Sequence, residues 1–230
     1  MRNKKIAGLF FALGAALALF LSCTGFFSTS LASWAQRDPA GLLPALTAAN
    51  VNDLVKKTAN DPALSLELLK KIKNTVNSVS GGEKALLQAA ALNAAANAAA
   101  PVKAVQKYID GDTEVNKNNA ADLFNKITGE LKNRAETAET LKGILPAAAV
   151  PGNPEFDAFV NAADPYYLAL AAAILFADDA VKSGDSAGYM AAYTSPGASP
   201  LAEALTKAAF DKGGDTLGIA GDLLDNLHLN

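Results

Sequence analysis

Cysteine and histidine, the residue types most often used in nucleophilic catalysis and zinc binding, occur once each, as Cys23 and His228. A catalytic base must be held within hydrogen-bond reach of its nucleophile, and the third residue from the end of this sequence is a poor place to hold one. Structural or catalytic zinc needs several cysteine or histidine ligands. The sequence therefore predicts neither a Ser-His-Asp nor a Cys-His system, and no zinc site.

The acidic residues offer no clear acid–base pair. Asp178 and Asp179 follow an apolar stretch, 166–177, and neighbouring residues on a helix point in different directions. We expect them to mark the point where a buried core helix reaches the surface. Solvated helix faces are expected for the acidic pairs spaced three residues apart: Glu136 with Glu139, and Asp222 with Asp225. We predict no catalytic residue and a protein that is not an enzyme.

Two stretches superficially suggest ligand binding. Oxygen-bearing side chains alternate over 110–118, as in an EF-hand, but Val115 and Ala121 stand where that loop needs glycine and glutamate. We interpret 110–118 as an exposed loop between helices. Residues 81–84, Gly-Gly-Glu-Lys, lack the preceding strand, the first glycine and the Ser/Thr of a phosphate loop, and indicate a helix stop and restart. No metal or cofactor is predicted.

The first residues have the pattern of an export signal. Arg2, Lys4 and Lys5 precede an apolar run from Ile6 to Leu21, and the sequence then reads Ser22-Cys23. A basic start, an apolar stretch of about 15 residues and a small residue before the cut are typical of signal peptides. With Phe20 and Leu21, the segment resembles the lipobox of bacterial lipoproteins in the relaxed form of spirochaetal members. Strict versions place leucine at the position of Phe20.

This resemblance implies cleavage before Cys23 by signal peptidase II and a diacylglyceryl group on that cysteine. Mature lipoproteins carry two or three fatty-acyl chains of the palmitate type, and two or more chains hold a protein stably at a membrane. Two alternatives remain open: ordinary secretion with cleavage near Ala32 or Ala35, and an uncleaved anchor over 6–27, long enough as a helix to cross a bilayer. Lipidation is favoured because it explains the lone cysteine.

The net charge of −3 argues against nucleic acid as a partner, since such binding needs clustered lysine and arginine. Removal of the basic first residues makes the body more acidic. No other convincing membrane span is present, because the 12 residues 166–177 would cover only about 18 Å as a helix. We therefore expect a lipid anchor in the cell membrane or outer membrane, with the body in the periplasm or on the cell surface.

The rest of the sequence predicts an all-α fold. Alanine is abundant, β-branched runs are absent, and Asp61-Pro62 and Asp164-Pro165 are typical helix starts. Asn93 and Asn97 lie one turn apart on an alanine-rich helix, either lining a polar groove or, as we favour, facing water. Helices are predicted over 39–48, 50–59, 62–79, 83–99, 101–109, 119–142, 154–162, 165–183, 186–193, 199–211 and 215–227.

Several matches at or near a spacing of 103 residues suggest two related halves. Asp61-Pro62 and Ser80-Gly81 are repeated as Asp164-Pro165 and Ser183-Gly184, and Gly-Asp-Thr recurs at 111–113 and 214–216. This order favours an internal duplication of about 100 residues, in antiparallel helix pairs forming a bundle or short α-solenoid. The alternative is one bundle with similarly capped helices. The architecture resembles tetratricopeptide-like repeats, although their 34-residue signature is not met.

The sequence thus divides into a signal peptide (1–22), a lipidated cysteine and tether (23–38), an N-terminal helical half (39–145), a Pro/Gly linker (146–154) and a C-terminal helical half (155–230). Aromatic residues gather at 26–34, expected at the membrane interface or on the body, and at 166–193, where they could line a groove but a core position is favoured. We expect a scaffolding or binding module for another envelope protein. The alternative is a carrier of a small apolar ligand between helices around 166–177; a hydrolase ranks third.

Overall fold

The computed structural model describes residues 43–109, 120–185 and 199–218, together with residues 41, 188, 189 and 221. Within these residues the chain is helical and has no strand, which confirms the predicted all-α class. The helices are α1 (Val51–Thr58), α2 (Pro62–Val76), α3 (Gly81–Ala99), α4 (Pro101–Ile109), α5 (Ala120–Glu130), α6 (Arg134–Lys142), α7 (Pro154–Ala162), α8 (Pro165–Lys182) and α9 (Pro200–Gly213), followed by a 3-10 turn (Gly214–Leu217).

Proline opens five of these helices, α2, α4, α7, α8 and α9. A proline at the first helical position loses no hydrogen bond, because that N–H has no partner within the helix. Three of the starts are also capped by a side chain. The Oδ1 atom of Asp61 accepts from the backbone of Ala63 at 3.0 Å, and Asn153 and Asp164 cap α7 and α8 in the same way.

Helix α3 lies at the centre of the fold and contacts α1, α2, α6, α7 and α8. Its buried residues are mainly alanines, and several of them have no exposed surface, including Ala91, Ala94, Ala95 and Ala98. Small side chains let neighbouring helices approach closely and lose little conformational freedom on folding. The alanine-rich sequence therefore allows one helix to be surrounded by five others.

Helix α8 is the second central element and contacts α3, α4, α6 and α9. Residues 168–178 and Ala180 are buried, which confirms the core helix expected over 166–177. Among the described residues no single helix is long and apolar enough to span a membrane. Helices α7 and α8 would satisfy that test together, but they meet at an angle of 115°.

The helix predicted over 119–142 is interrupted between α5 and α6. Asn133 adopts a left-handed backbone, with φ of 46°, and its amide contacts the carbonyl oxygens of Pro62 and Ala98. The backbone N–H of Lys132 donates to the carbonyl of Ala99 at 3.0 Å. The break thus places the chain against the end of α3. This tertiary interaction cannot be predicted from the local sequence pattern.

The helix predicted over 39–48 is wrong for residues 43–47, which are not helical. Pro44 lies inside that stretch and cannot donate a helical hydrogen bond. Thr47 and Asn50 instead exchange hydrogen bonds just before α1, with Thr47 N–H donating to Asn50 Oδ1 at 2.9 Å. The predicted helix over 215–227 is also wrong at its start, since 214–217 form a 3-10 turn.

All the described helices belong to one compact unit, Leu43–Asn230. Residues 143–153, which overlap the Pro/Gly break predicted at 146–154, connect α6 to α7 without helix. Helices α7 and α8, which follow this break, both pack on α3, which precedes it. The two sides of the break therefore share one core, and their origin by duplication stays a prediction.

Candidate functional site

A cleft of about 280 Å³ opens at the N-terminal end of α8, and we call it the tyrosine groove. It lies where the α1–α2 turn, the end of α3 and the start of α4 meet α8. Its lining residues are Ala59, Pro62, Ala96, Asn97, Ala100, Pro101, Val102, Lys103, Gln106, Tyr166, Tyr167 and Leu170. The groove therefore joins elements from both sides of the break at 143–153.

The start of α8 sets the position of the two tyrosines. Asp164 caps this helix by accepting the N–H of Tyr166 at 2.8 Å, and Pro165 fixes the first helical residue. The rings of Tyr166 and Tyr167 meet edge to face, with centroids 5.3 Å apart. Burial raises the pKa of Tyr166 above its ordinary value of 10.0, and the neighbouring Tyr167 adds to this effect. Both rings are half-buried and line the groove.

Small residues give the groove its depth. Ala59, Ala96 and Ala100 line it, and none of them has atoms beyond Cβ. At Ala100 the backbone turns left-handed, with φ of 50° and ψ of 48°, so that α3 ends and α4 leaves in a new direction. A larger side chain at these positions would occupy the space that the groove now provides.

Several polar groups in the groove have no bonding partner among the described residues. These are the ammonium of Lys103, the amide of Gln106 and the hydroxyls of Tyr166 and Tyr167. Asn97 donates through Nδ2 to Asn93 at 3.3 Å, which leaves its own Oδ1 unbonded. The groove therefore offers unbonded donors, together with the Asn97 carbonyl oxygen as an acceptor, and its lining contains no acidic side chain.

The two asparagines show where sequence reasoning needed correction. We favoured water-facing positions for Asn93 and Asn97, but both are half-buried and Asn97 lines the groove. Lys103 and Gln106 were not singled out from the sequence at all. On a short amphipathic helix they look like ordinary solvated residues. They line a cleft only because α8, which comes from a distant part of the chain, packs beside them.

A second polar cluster lies at the other end of α8. Asp178 is completely buried, with its carboxylate oxygens 2.8 Å from Lys182 Nζ and 3.6 Å from Arg134 Nε. Neither carboxylate oxygen has a well-aligned hydrogen bond within the described residues, so we describe these contacts as ion pairs. The contact with Asp178 is also the main reason why the pKa of Lys182 is raised above 10.5.

The expectation that Asp178 and Asp179 mark the helix reaching the surface is therefore wrong for Asp178. That side chain turns inward because a cation from α6 and one from the next turn of α8 balance its charge. Asp179 is half-buried, accepts from Lys142 Nζ at 2.6 Å and accepts from the Ser199 hydroxyl at 2.7 Å. The cluster joins α6, α8 and the start of α9, which gives it a structural role.

The acidic pair Glu136 and Glu139 and the glycine motif at 81–84 follow their expected roles. Glu136 and Glu139 are exposed, as predicted for a solvated face, and each contacts a lysine of a neighbouring helix. Residues 81–84 begin α3 rather than a phosphate loop. Lys84 lies 2.8 Å from Glu155, and this contact with Lys84 holds the pKa of Glu155 below 4.5.

Other candidates lie outside the described residues: Cys23, His228, the stretch 110–118, Asp222, Asp225, Tyr193 and the aromatic group at 26–34. In the part of the chain that is described, no three His, Cys, Asp or Glu side chains group as a metal site would require. Between α5 and α8 there is a cavity of only about 10 Å³, lined by residues including Phe124 and Ala173. A single water molecule needs about 10–15 Å³ on this measure, so the cavity is too small for an organic ligand.

Comparison with known proteins adds no assignment. No family model matches the chain, and neither a curated protein nor a solved structure shows significant similarity to it.

Proposed function

We propose that this chain is a lipid-anchored, non-enzymatic binding module of the cell envelope that binds another envelope protein through the tyrosine groove. The observation that carries the proposal is the groove itself, with its free donors around an alanine floor. Membrane attachment rests on the sequence around Cys23. The body then serves to hold a partner close to the membrane.

The polar groups elsewhere on the central helices support this choice of site. Asp178 is balanced by Arg134 and Lys182, and Asp179 by Lys142, so these groups are already used within the fold. Buried polar groups cost free energy unless they are bonded, so a folded chain normally satisfies them internally. The groove differs because Lys103 and Gln106 are exposed and no contact within the described residues uses them, so they stay available to a partner.

The chemistry of the lining supports binding rather than catalysis. General acid–base or nucleophilic catalysis needs a nucleophile and a base within hydrogen-bond reach. The lining offers alanine, proline, amide, phenol and one ammonium, and it contains no histidine, cysteine or carboxylate. These groups can orient and hold a bound segment.

The groove can be tested by site-specific photo-cross-linking in the full-length chain in its own host. A photoreactive residue at Gln106 should yield a discrete protein adduct, whereas one at the exposed Lys126 of α5, outside the lining, should not. The substitution Ala96→Leu, which fills the floor, should abolish the adduct. Equal adducts from both positions, or none from the groove, would contradict the proposed function.

The anchor has an independent test. Cys23→Ala should remove the site of lipid attachment and shift the protein from the membrane fraction to the soluble fraction, since a stable anchor needs the acyl chains. Metabolic labelling with a fatty acid, followed by fractionation, measures both effects. Retention of label or of membrane association in this variant would rule out lipidation of Cys23.

A small apolar ligand is the alternative occupant. The groove volume of about 280 Å³ lies near the lower limit of ligand pockets, about 300–1,000 Å³, and its aromatic and aliphatic lining suits such a molecule. Native mass spectrometry of protein purified from its own host distinguishes the two cases. A co-purifying ligand that Ala96→Leu displaces would favour the carrier function over the protein-binding one.

A further inference from the structure

The geometry points to a specific chemistry for the occupant of the tyrosine groove: the C-terminal end of a partner protein, with its carboxylate at Lys103 and an apolar last side chain against the tyrosines. This inference rests on the proposed function and specifies the partner segment. Its basis is the sign and arrangement of the groups in the lining, together with the limited size of the cleft.

The charge in the lining favours an anionic occupant. Lys103 is the one charged side chain in the lining, is exposed, and has no ion pair within the described residues. The other free groups that can donate are the Gln106 amide and the tyrosine hydroxyls. An occupant that supplies acceptors can bond to these groups, and a negatively charged acceptor gains most from Lys103, the only charged group in the lining.

Two carboxylates are next to groove residues in the sequence, but they do not cancel the positive charge of Lys103. Asp61 precedes Pro62, and Asp164 stands two residues before Tyr166. Each is a helix cap: Asp61 accepts from Ala63 and Leu64, and Asp164 accepts from Tyr166. Their charges are directed toward helix N-termini, where the helix dipole stabilises a negative charge.

The apolar part of the lining sets the second requirement. Val102 and Pro101 adjoin Lys103, while the edge-to-face tyrosine pair and Leu170 complete the lining. An occupant with an apolar side chain close to its carboxylate matches this arrangement. Aromatic residues contribute strongly to such contacts because they bury a large area at low entropic cost.

The size of the groove selects a chain end over a continuous segment. At about 280 Å³ it lies near the lower limit of about 300–1,000 Å³ for pockets that enclose a ligand. A terminal residue needs space for one side chain and one carboxylate, whereas a continuous segment must also enter and leave. The end of a polypeptide is the source of carboxylate that this cleft accommodates.

Two small probes test this inference on the full chain: N-acetyl-L-phenylalanine, which has a terminal carboxylate, and N-acetyl-L-phenylalaninamide, which lacks the charge. We expect both to shift the ring resonances of Tyr166 and Tyr167 in NMR titrations. The acid should bind about fivefold more tightly, the ratio that about 1 kcal/mol of Coulomb attraction provides at an exposed site.

Lys103→Gln should remove this preference, and the matched substitution Lys126→Gln should leave it intact. Equal binding of acid and amide, a preference that survives Lys103→Gln, or shifts at other residues would overturn the inference. So would tighter binding of N-acetyl-aspartyl-phenylalaninamide, whose charge lies on a side chain, than of the acid.

The experiments distinguish binding of a protein partner from recognition of a terminal carboxylate. A groove-specific protein adduct combined with no preference for the acid would preserve the proposed function and overturn the carboxylate inference. A carboxylate preference that depends on Lys103, without any protein adduct, would support the recognition chemistry and reject a protein partner.

Discussion

At the scale of single residues, Asp178 shows how a charge is held in the core. The side chain has no exposed surface, while Lys182 reaches solvent and Arg134 is mostly buried. Removing one member of a buried ion pair leaves the other without compensation. The contribution of Asp178 to stability therefore depends on Arg134, which cannot move into water as easily as Lys182 can.

We predict that Asp178→Ala lowers the free energy of unfolding by about 3 kcal/mol, because it leaves the mostly buried Arg134 without its counter-charge. Urea denaturation followed by circular dichroism measures the change. Glu139→Ala is the control: Glu139 also pairs with Lys182, at 3.4 Å, but is largely exposed, so its loss should cost less than about 0.5 kcal/mol. Similar losses for the two variants would contradict a structural role for the buried carboxylate.

Ala100 is the second informative residue, because it adopts the left-handed backbone that usually belongs to glycine. A Cβ atom in that region costs about 1–2 kcal/mol, whereas glycine in its place raises the entropy of the unfolded chain by less. We predict that Ala100→Gly stabilises the protein by about 0.5 kcal/mol, measured by thermal and urea unfolding. Ala99→Gly, within helix α3, should instead destabilise it; stabilisation by both would refute this explanation.

At the scale of elements, prediction from sequence succeeded where the signals are local. The cap-proline pairs at Asp61 and Asp164 located the starts of α2 and α8, and the apolar run of α8 predicted its burial. Prediction failed where a contact with a residue distant in sequence determines the local structure. The break at Asn133 depends on the end of α3, and the inward turn of Asp178 depends on Arg134, 44 positions earlier in the numbering.

The residues of the candidate site were likewise predictable only where their signal is local. Tyr166, Tyr167 and Asn97 belong to patterns that the sequence shows, but it favours a core position for the tyrosines and a water-facing one for Asn97. Lys103 and Gln106 were not singled out, since their role comes from the packing of α8 against α3 and α4. A site assembled from the ends of several helices has no single sequence motif.

Helix α3 provides the prediction at this scale. Ala95 is fully buried on a helix that five others surround, so Ala95→Leu should overpack the core and cost about 1–3 kcal/mol. Ala135→Leu, at an exposed position of α6, should change stability by less than about 0.5 kcal/mol. Urea unfolding compares the two. A tolerated leucine at position 95 would mean that the alanines of α3 are not required for close packing.

At the scale of the whole molecule, the break at 143–153 divides the sequence but not the core. Helix α3 packs on α2 from its own side of the break and on α7 and α8 from the other. The tyrosine groove likewise takes Asn97 and Lys103 from one side and Tyr166 and Tyr167 from the other. The binding that we propose for this groove therefore requires both parts to be folded together.

This arrangement predicts that neither part is stable alone. Chains covering 1–150 and 151–230 should each lack a cooperative unfolding transition when expressed separately, because each exposes the apolar surface that the other covers. A full-length chain cleaved at a protease site inserted beside the exposed Val150 should remain associated and keep its helical circular dichroism signal. Cooperative unfolding of either separate chain would show that the two sides of the break are independent domains.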